Sequence, residues 1–186
     1  MKQVPVDKYN IAWFKLAEYV SRGEKERALG IYRLLSHSFD DQAFARQLEG
    51  DILWSFNDSG ASDAYHEAAQ LYQKNDRVLQ AAAVYEHLAT LHPDSIIYAL
   101  HLIDLYVLLN ITSKVACYVL VLSELILRAI KEKKNSQELM LENVYEFLDR
   151  LMLHQDASML NTFLLRLEST NLFYYQKACE HMKGKK

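Results

Sequence analysis

Proline occurs twice in this chain of 186 residues, at Pro5 and Pro93, and glycine only five times. Proline removes a backbone donor and clashes with the preceding helical turn, and glycine weakens a helix by about 1 kcal/mol relative to alanine. A chain so poor in both has almost no interior point at which a helix must break. Sheet proteins need many turns, each usually marked by Gly, Pro or Asn, and here the marks are too few. Hydrophobic residues make up 51% of the chain, enough for the core of one ordinary domain or one short array of repeats. The fold class that follows is all-α.

The second proline sits in the stretch AAAVYEHLATLHPDS, residues 81–95. Ala81, Val84, Tyr85, Leu88 and Leu91 fall on one stripe at helical spacing, with Glu86, His87 and Thr90 off it. Pro93 disfavours helix in the residue before it, so the helix should end near Leu91 or His92. Asp94 and Ser95 then offer side-chain oxygens to cap a following helix. Upstream, SDAYHEAAQLYQKN at 62–75 carries a matching stripe, Tyr65, Ala68, Ala69 and Tyr72, with Ser62 or Asp63 as its expected cap.

From Ser62 to Ser95 the unit is 34 residues long, and it resembles a tetratricopeptide repeat. Tyr65 stands at position 4, Ala68 and Ala69 at 7 and 8, Tyr72 at 11, Ala81 at 20, Tyr85 at 24, Leu88 at 27 and Pro93 at 32. Small residues at 8 and 20 let two helices approach, and large ones at 11 and 24 fill the space beside them. Two positions depart: Asp76 replaces the favoured Gly at 15, and Leu88 the usual small residue at 27. A frame from Tyr9 puts Leu16 at 8, Tyr19 at 11, Gly23 at 15, Ala28 at 20 and Tyr32 at 24. A frame from Ile96 puts Leu102, Ile103 and Tyr106 at 7, 8 and 11, then Val115 and Val119. From Leu141 only the hydrophobic pattern survives, through Phe147, Leu148, Leu151, Leu160 and Leu164. Segment 43–61 and the long stretch 130–140 do not fit the period. An alternative pairing joins 41–57 with 61–75 and 77–91 with 95–109, which changes the helices facing the concave side.

The resemblance implies a right-handed α-solenoid of stacked antiparallel helix hairpins, about ten helices, filling 1–186 as one domain. Its approximate repeats are 9–42, 62–95, 96–129 and 141–174, with a capping helix at 171–183. It also implies a non-enzymatic adaptor, scaffold or chaperone-like role, binding a peptide or helix of another protein in the concave groove. Groove positions of a first helix are then Asp63, His66, Gln70, Gln73 and Lys74, and in the next repeat Ile97, Leu100, Asp104, Val107 and Leu108. The bland reading makes the first set a solvated helix face and the second buried packing. Tetratricopeptide arrays that clamp a chaperone's terminal carboxylate use Lys at position 5 and Asn at 9. Here His66 and Gln70, and in the first frame Trp13 and Ala17, stand there instead, so that mode is disfavoured.

Other chemistry finds little support. A formal charge of −3 and a pI near 6.2 speak against nucleic acid as partner, since phosphate contacts need clustered Lys and Arg. The basic runs KEKK at 131–134 and KGKK at 183–186 read as a solvated helix end and a tail. Cys117 and Cys179 share no metal spacing and read as reduced small hydrophobes of a cytoplasmic chain. The N-terminus lacks the apolar core of a secretory signal, so the sequons at Asn57 and Asn110 carry little weight. In VACYVLVLSELILRAI, 115–130, the uncharged run ends at Ser123, short of the ~18 residues that suggest a membrane span. His66-Glu67 lacks the second His of a zinc-protease motif, because Gln70 stands there. Asp40-Asp41 reads as a helix cap rather than a catalytic pair, and Trp13 and Trp54 as core packing. No cofactor or metal is expected. A second function remains open, a structural subunit forming homo- or hetero-oligomers through the apolar 96–130 region.

Overall fold

The computed structural model describes residues 6–133, 135–153 and 157–185, with side chains from Asn10 onward. Pro5 and the start of the N-terminal stretch, Lys134 of the KEKK run and Lys186 of the tail lie outside the described residues. Ten α-helices and no strand occur among those described. They are α1 (Val6–Ser21), α2 (Lys25–Ser36), α3 (Gln42–Ser55), α4 (Ala61–Lys74), α5 (Val78–Leu91), α6 (Ile96–Leu108), α7 (Thr112–Glu132), α8 (Gln137–Leu153), α9 (Ala157–Thr170) and α10 (Leu172–Lys183). The chain divides into two compact units, Met1–Leu91 and His92–Lys186.

In the first unit each helix packs on the next, α1 on α2, α2 on α3, α3 on α4 and α4 on α5. Ala68, Ala69, Ala81 and Tyr85 are fully buried and Tyr65 and Tyr72 nearly so, the burial that close packing of small against large residues requires. A further small residue lies outside the expected frames. A Cβ built on Gly50 would stand 2.7 Å from Cδ1 of Tyr65, so only glycine lets α3 approach α4 this closely. The tyrosine hydroxyls then find polar groups of α3. Tyr32 donates to the Ala45 carbonyl at 2.9 Å, Tyr65 to Asp51 at 2.8 Å and Tyr72 to Gln47 at 2.8 Å. A buried hydroxyl without a partner costs about 1–3 kcal/mol, so α3 needs its polar residues at these points.

Four of the turns share one device. Gly23, Asn57, Asp76 and Asn110 all have left-handed backbones, with φ between 54° and 73°. Each donates its N–H to the carbonyl three residues back, and the next residue's N–H reaches the carbonyl five back, as Asn57 to Trp54 and Asp58 to Leu53. That is the Schellman arrangement, which satisfies the last carbonyls of a helix. Asp76 therefore takes the conformation for which the repeat favours glycine, and Asn can do the same because its short side chain tolerates it. Gly23 and Asn57 stand 34 residues apart, and so do Asp76 and Asn110. The first pair follows α1 and α3, the second α4 and α6, so the period is kept twice with a one-helix change of phase at α4.

Capping corrects one expectation and supports others. The N-cap of α4 is Gly60, with no side-chain cap; Ser62 and Asp63 lie inside the first turn. Asp58 fixes the entry instead, accepting the Gly60 N–H at 2.7 Å. Asp41 caps α3 by accepting the Phe44 N–H at 3.1 Å, and Ser95 caps α6 toward the Tyr98 N–H at 3.4 Å. α5 ends at Leu91, just ahead of Pro93.

The second unit packs α6 on α7, α7 on α8 and α9, and α10 across α8 and α9. Its core holds Leu122, Ile126, Val144, Phe147, Leu148 and Leu167, with Phe147 and Phe163 edge to face at 4.8 Å. Arg150 of α8 makes a two-pronged bond to Asp104 of α6, at 2.9 and 2.8 Å. α7 runs 21 residues and buries one stripe, so the apolar 115–130 segment is mostly core. Cys117, expected among apolar neighbours, is exposed, and Cys179 is half-buried. Among the described residues no helix is long and apolar enough to cross a membrane.

Candidate functional site

Within the first unit a cavity of about 450 Å³ opens between α3 and α5, with α4 behind it. Its walls follow from helical spacing. Gln47, Asp51 and Trp54 stand at i, i+4 and i+7 on α3, which puts them on one face. Gln80, Ala83, Val84 and His87 do the same on α5, and Tyr65 of α4 closes the back. The two walls are held at one end by Asp41, which caps α3 and also pairs with Arg77 at the head of α5. Arg77 in turn lies over the ring of Tyr72, 4.5 Å from its centroid. Partial burial pulls the Asp41 pKa upward, but the bonds from Arg77 and the Phe44 amide overcome this and hold it below the usual carboxylate range.

Three aromatic rings meet in the cavity. The Tyr65 and His87 rings stand edge to face at 4.8 Å, and Trp54 and His87 at 6.2 Å. Burial, and then the hydrogen bond to Asp51, push the Tyr65 phenol well above its ordinary pKa, so it stays a donor at neutral pH. Asp51 thus keeps one carboxylate oxygen engaged and the other open to solvent; the residue is exposed. The His87 Nε2 is buried and makes no hydrogen bond. A half-open indole beside an exposed carboxylate is a pair of groups suited to hold a ligand. Trp54 is 47% exposed, which corrects its expected place in the core. Trp13 does pack as expected, beside Phe39 at 6.0 Å.

None of the groove positions expected from the repeat lines this cavity. Asp63, Gln70 and Lys74 form an exposed strip on the far side of α4, flanked by the half-buried His66 and Gln73. His66 and Gln70 bond to each other at 2.9 Å. In the second unit Ile97 and Leu108 are exposed, but Leu100 is 6% exposed and belongs to the core, and Asp104 is engaged by Arg150. The α3 wall was missed because 43–61 fell outside the expected frames, and the α5 wall because the repeat directs attention to the outer face of α4. The signal was present: Gln47, Asp51 and Trp54 share a helical face on which polar groups interrupt the apolar pattern. Among the described residues no three metal-ligating side chains gather.

No protein-family model matches this chain. No curated protein matches it in sequence. A solved structure, described as the functional characterization of Pseudomonas aeruginosa pilF, aligns over 92% of this chain and 79% of its own, at 13% identity and a TM-score of 0.39. A likeness at that score bears no weight for fold or function.

Proposed function

We propose that this protein is a non-enzymatic interaction module that binds a segment of another protein in the cleft between α3 and α5. The observation that carries the reading is Trp54. A half-exposed indole at the mouth of a cavity with convergent polar groups is a common anchor for protein recognition. The helical-repeat resemblance supports it, since paired helices flanking a third make such a cleft. The eight lining residues include one carboxylate and one imidazole but no Ser, Cys, Thr or Lys nucleophile, so the cleft suits holding better than covalent chemistry. The outer strip Asp63, Gln70 and Lys74 is the competing face, and binding confined to it would contradict this proposal.

Peptides selected from a random displayed library against the full chain test this reading. Ala83 is an exposed wall residue, so Ala83→Trp blocks the cleft without touching the core. Selected peptides should bind the native chain and lose at least tenfold in affinity on Ala83→Trp, an expected effect on the order of 1.4 kcal/mol. Equal binding to both chains contradicts the proposal.

A second reading has its own observation. Ile97, Leu108 and Leu120 are 59%, 71% and 56% exposed, an apolar remainder of the 96–130 region that assembly would cover. Sedimentation at micromolar concentration separates the readings; a monomer removes this one.

A further inference from the structure

We infer that the cleft between α3 and α5 takes an arginine side chain of the bound segment, a conclusion that rests on the cleft being the binding face. Asp51 is the one formally charged residue lining the cavity. Among the described residues it makes no ion pair; its only bond is the one it accepts from Tyr65. The other acid of α3, Glu49, is occupied by Arg46 at 2.8 Å, and the same Arg46 also holds Glu67 of α4 at 3.0 Å. The free anionic oxygen therefore faces a cavity without a cation. Beside it the exposed Trp54 ring offers a flat π-surface three residues along the same helix, where a cation is attracted.

Guanidinium suits both groups at once. It is planar and so stacks on an indole, and it carries five donors, enough for the Asp51 carboxylate and the exposed Gln80 amide oxygen together. A lysine ammonium supplies charge but neither the flat face nor the fork. A carboxylate or phosphate ligand would face Asp51 with like charge. An apolar side chain would leave the carboxylate desolvated without a partner, which is unfavourable.

The test uses the full chain carrying Trp13→Phe, which leaves Trp54 as its one tryptophan reporter. Pools of acetylated, amidated hexapeptides are prepared with the third position fixed as arginine, lysine, citrulline, leucine or glutamate, and Trp54 fluorescence is titrated. Citrulline keeps the shape of arginine without its charge. The arginine pool should bind at least about tenfold tighter than the citrulline pool, and the gap should shrink as salt rises. Asp51→Asn keeps an acceptor for the Tyr65 hydroxyl, so it should leave the melting temperature nearly unchanged while bringing the ratio to about one. Equal titrations by the arginine and citrulline pools, or an unchanged ratio in Asp51→Asn, overturn the arginine assignment. If pools bind alike and Ala83→Phe, which blocks the cleft without adding a tryptophan, abolishes all of them, the cleft remains the binding face and only its charge preference fails. If no pool moves Trp54 fluorescence, the cleft reading falls as well.

Discussion

Gly50 and Gly30 make a controlled pair at the scale of single residues, since both lie inside helices and differ only in what surrounds them. A Cβ at Gly50 meets the ring of Tyr65, whereas one at Gly30 meets nothing within 4 Å. Alanine favours helix over glycine by about 1 kcal/mol, so Gly30→Ala should stabilise the protein by up to that amount. Gly50→Ala has the same helical gain but overpacks a buried ring, and should destabilise by about 1–3 kcal/mol. Urea denaturation of the two variants checks the opposite signs. The tyrosines give a pH test. Burial first, and Glu49 second, push Tyr32 up to about 12 from 10.0, and burial raises Tyr65 and Tyr72 as well. The unfolded chain ionises these phenols near pH 10, so the stability they confer is complete below that pH and is lost as pH rises from 10 through 12. The urea midpoint should fall between pH 8 and pH 11, and fall less in Tyr32→Phe; equal falls in both chains would contradict the assignment. The alanine and tyrosine stripe was legible in the sequence because volume alternation survives at fixed helical spacing. Gly50 was not, because a lone glycine in a helix shows its role only once the ring that fills its place is known.

At the scale of elements, left-handed turns set where α1, α3, α4, α6 and α7 stop. Lys133 ends α7 at φ 50°, a conformation without special support for a lysine. Glycine adopts it without the Cβ clash, which costs an L residue about 1–2 kcal/mol. Lys133→Gly should therefore raise stability by up to about 1 kcal/mol, after glycine's greater freedom in the unfolded chain is offset. Gly23→Ala should lower it by about 1–2 kcal/mol for the converse reason, although no atom stands in the way. Thermal melts of the two variants should move in opposite directions. Helix positions were readable from apolar periodicity, and the end of α5 from Pro93. The start of α4 was not, because Ser62 and Asp63 both look like caps, while Asp58 supplies an earlier turn that lets the helix begin at Ala61. The change of phase at α4 was visible only as a segment that refused the frame.

For the molecule as a whole, all-α architecture was legible from composition and period, yet the face that binds was not. Repeat logic points to the first helix of the 62–95 frame, and hence to the outer strip of α4. The fold opens its cavity on the other side, between α3 and α5, because the polar stripe of α3 and the small Ala83 leave space that Tyr65 only half fills. One frame put Trp54 in the gap between repeats, where nothing marked it as exposed. Backbone amide NMR shifts of the labelled full chain, recorded with and without a selected peptide, compare these two faces directly. The account predicts that the large changes fall on Gln47, Asp51, Trp54, Gln80 and His87. Changes confined to Asp63, Gln70 and Lys74, or spread over the second unit alone, would contradict it.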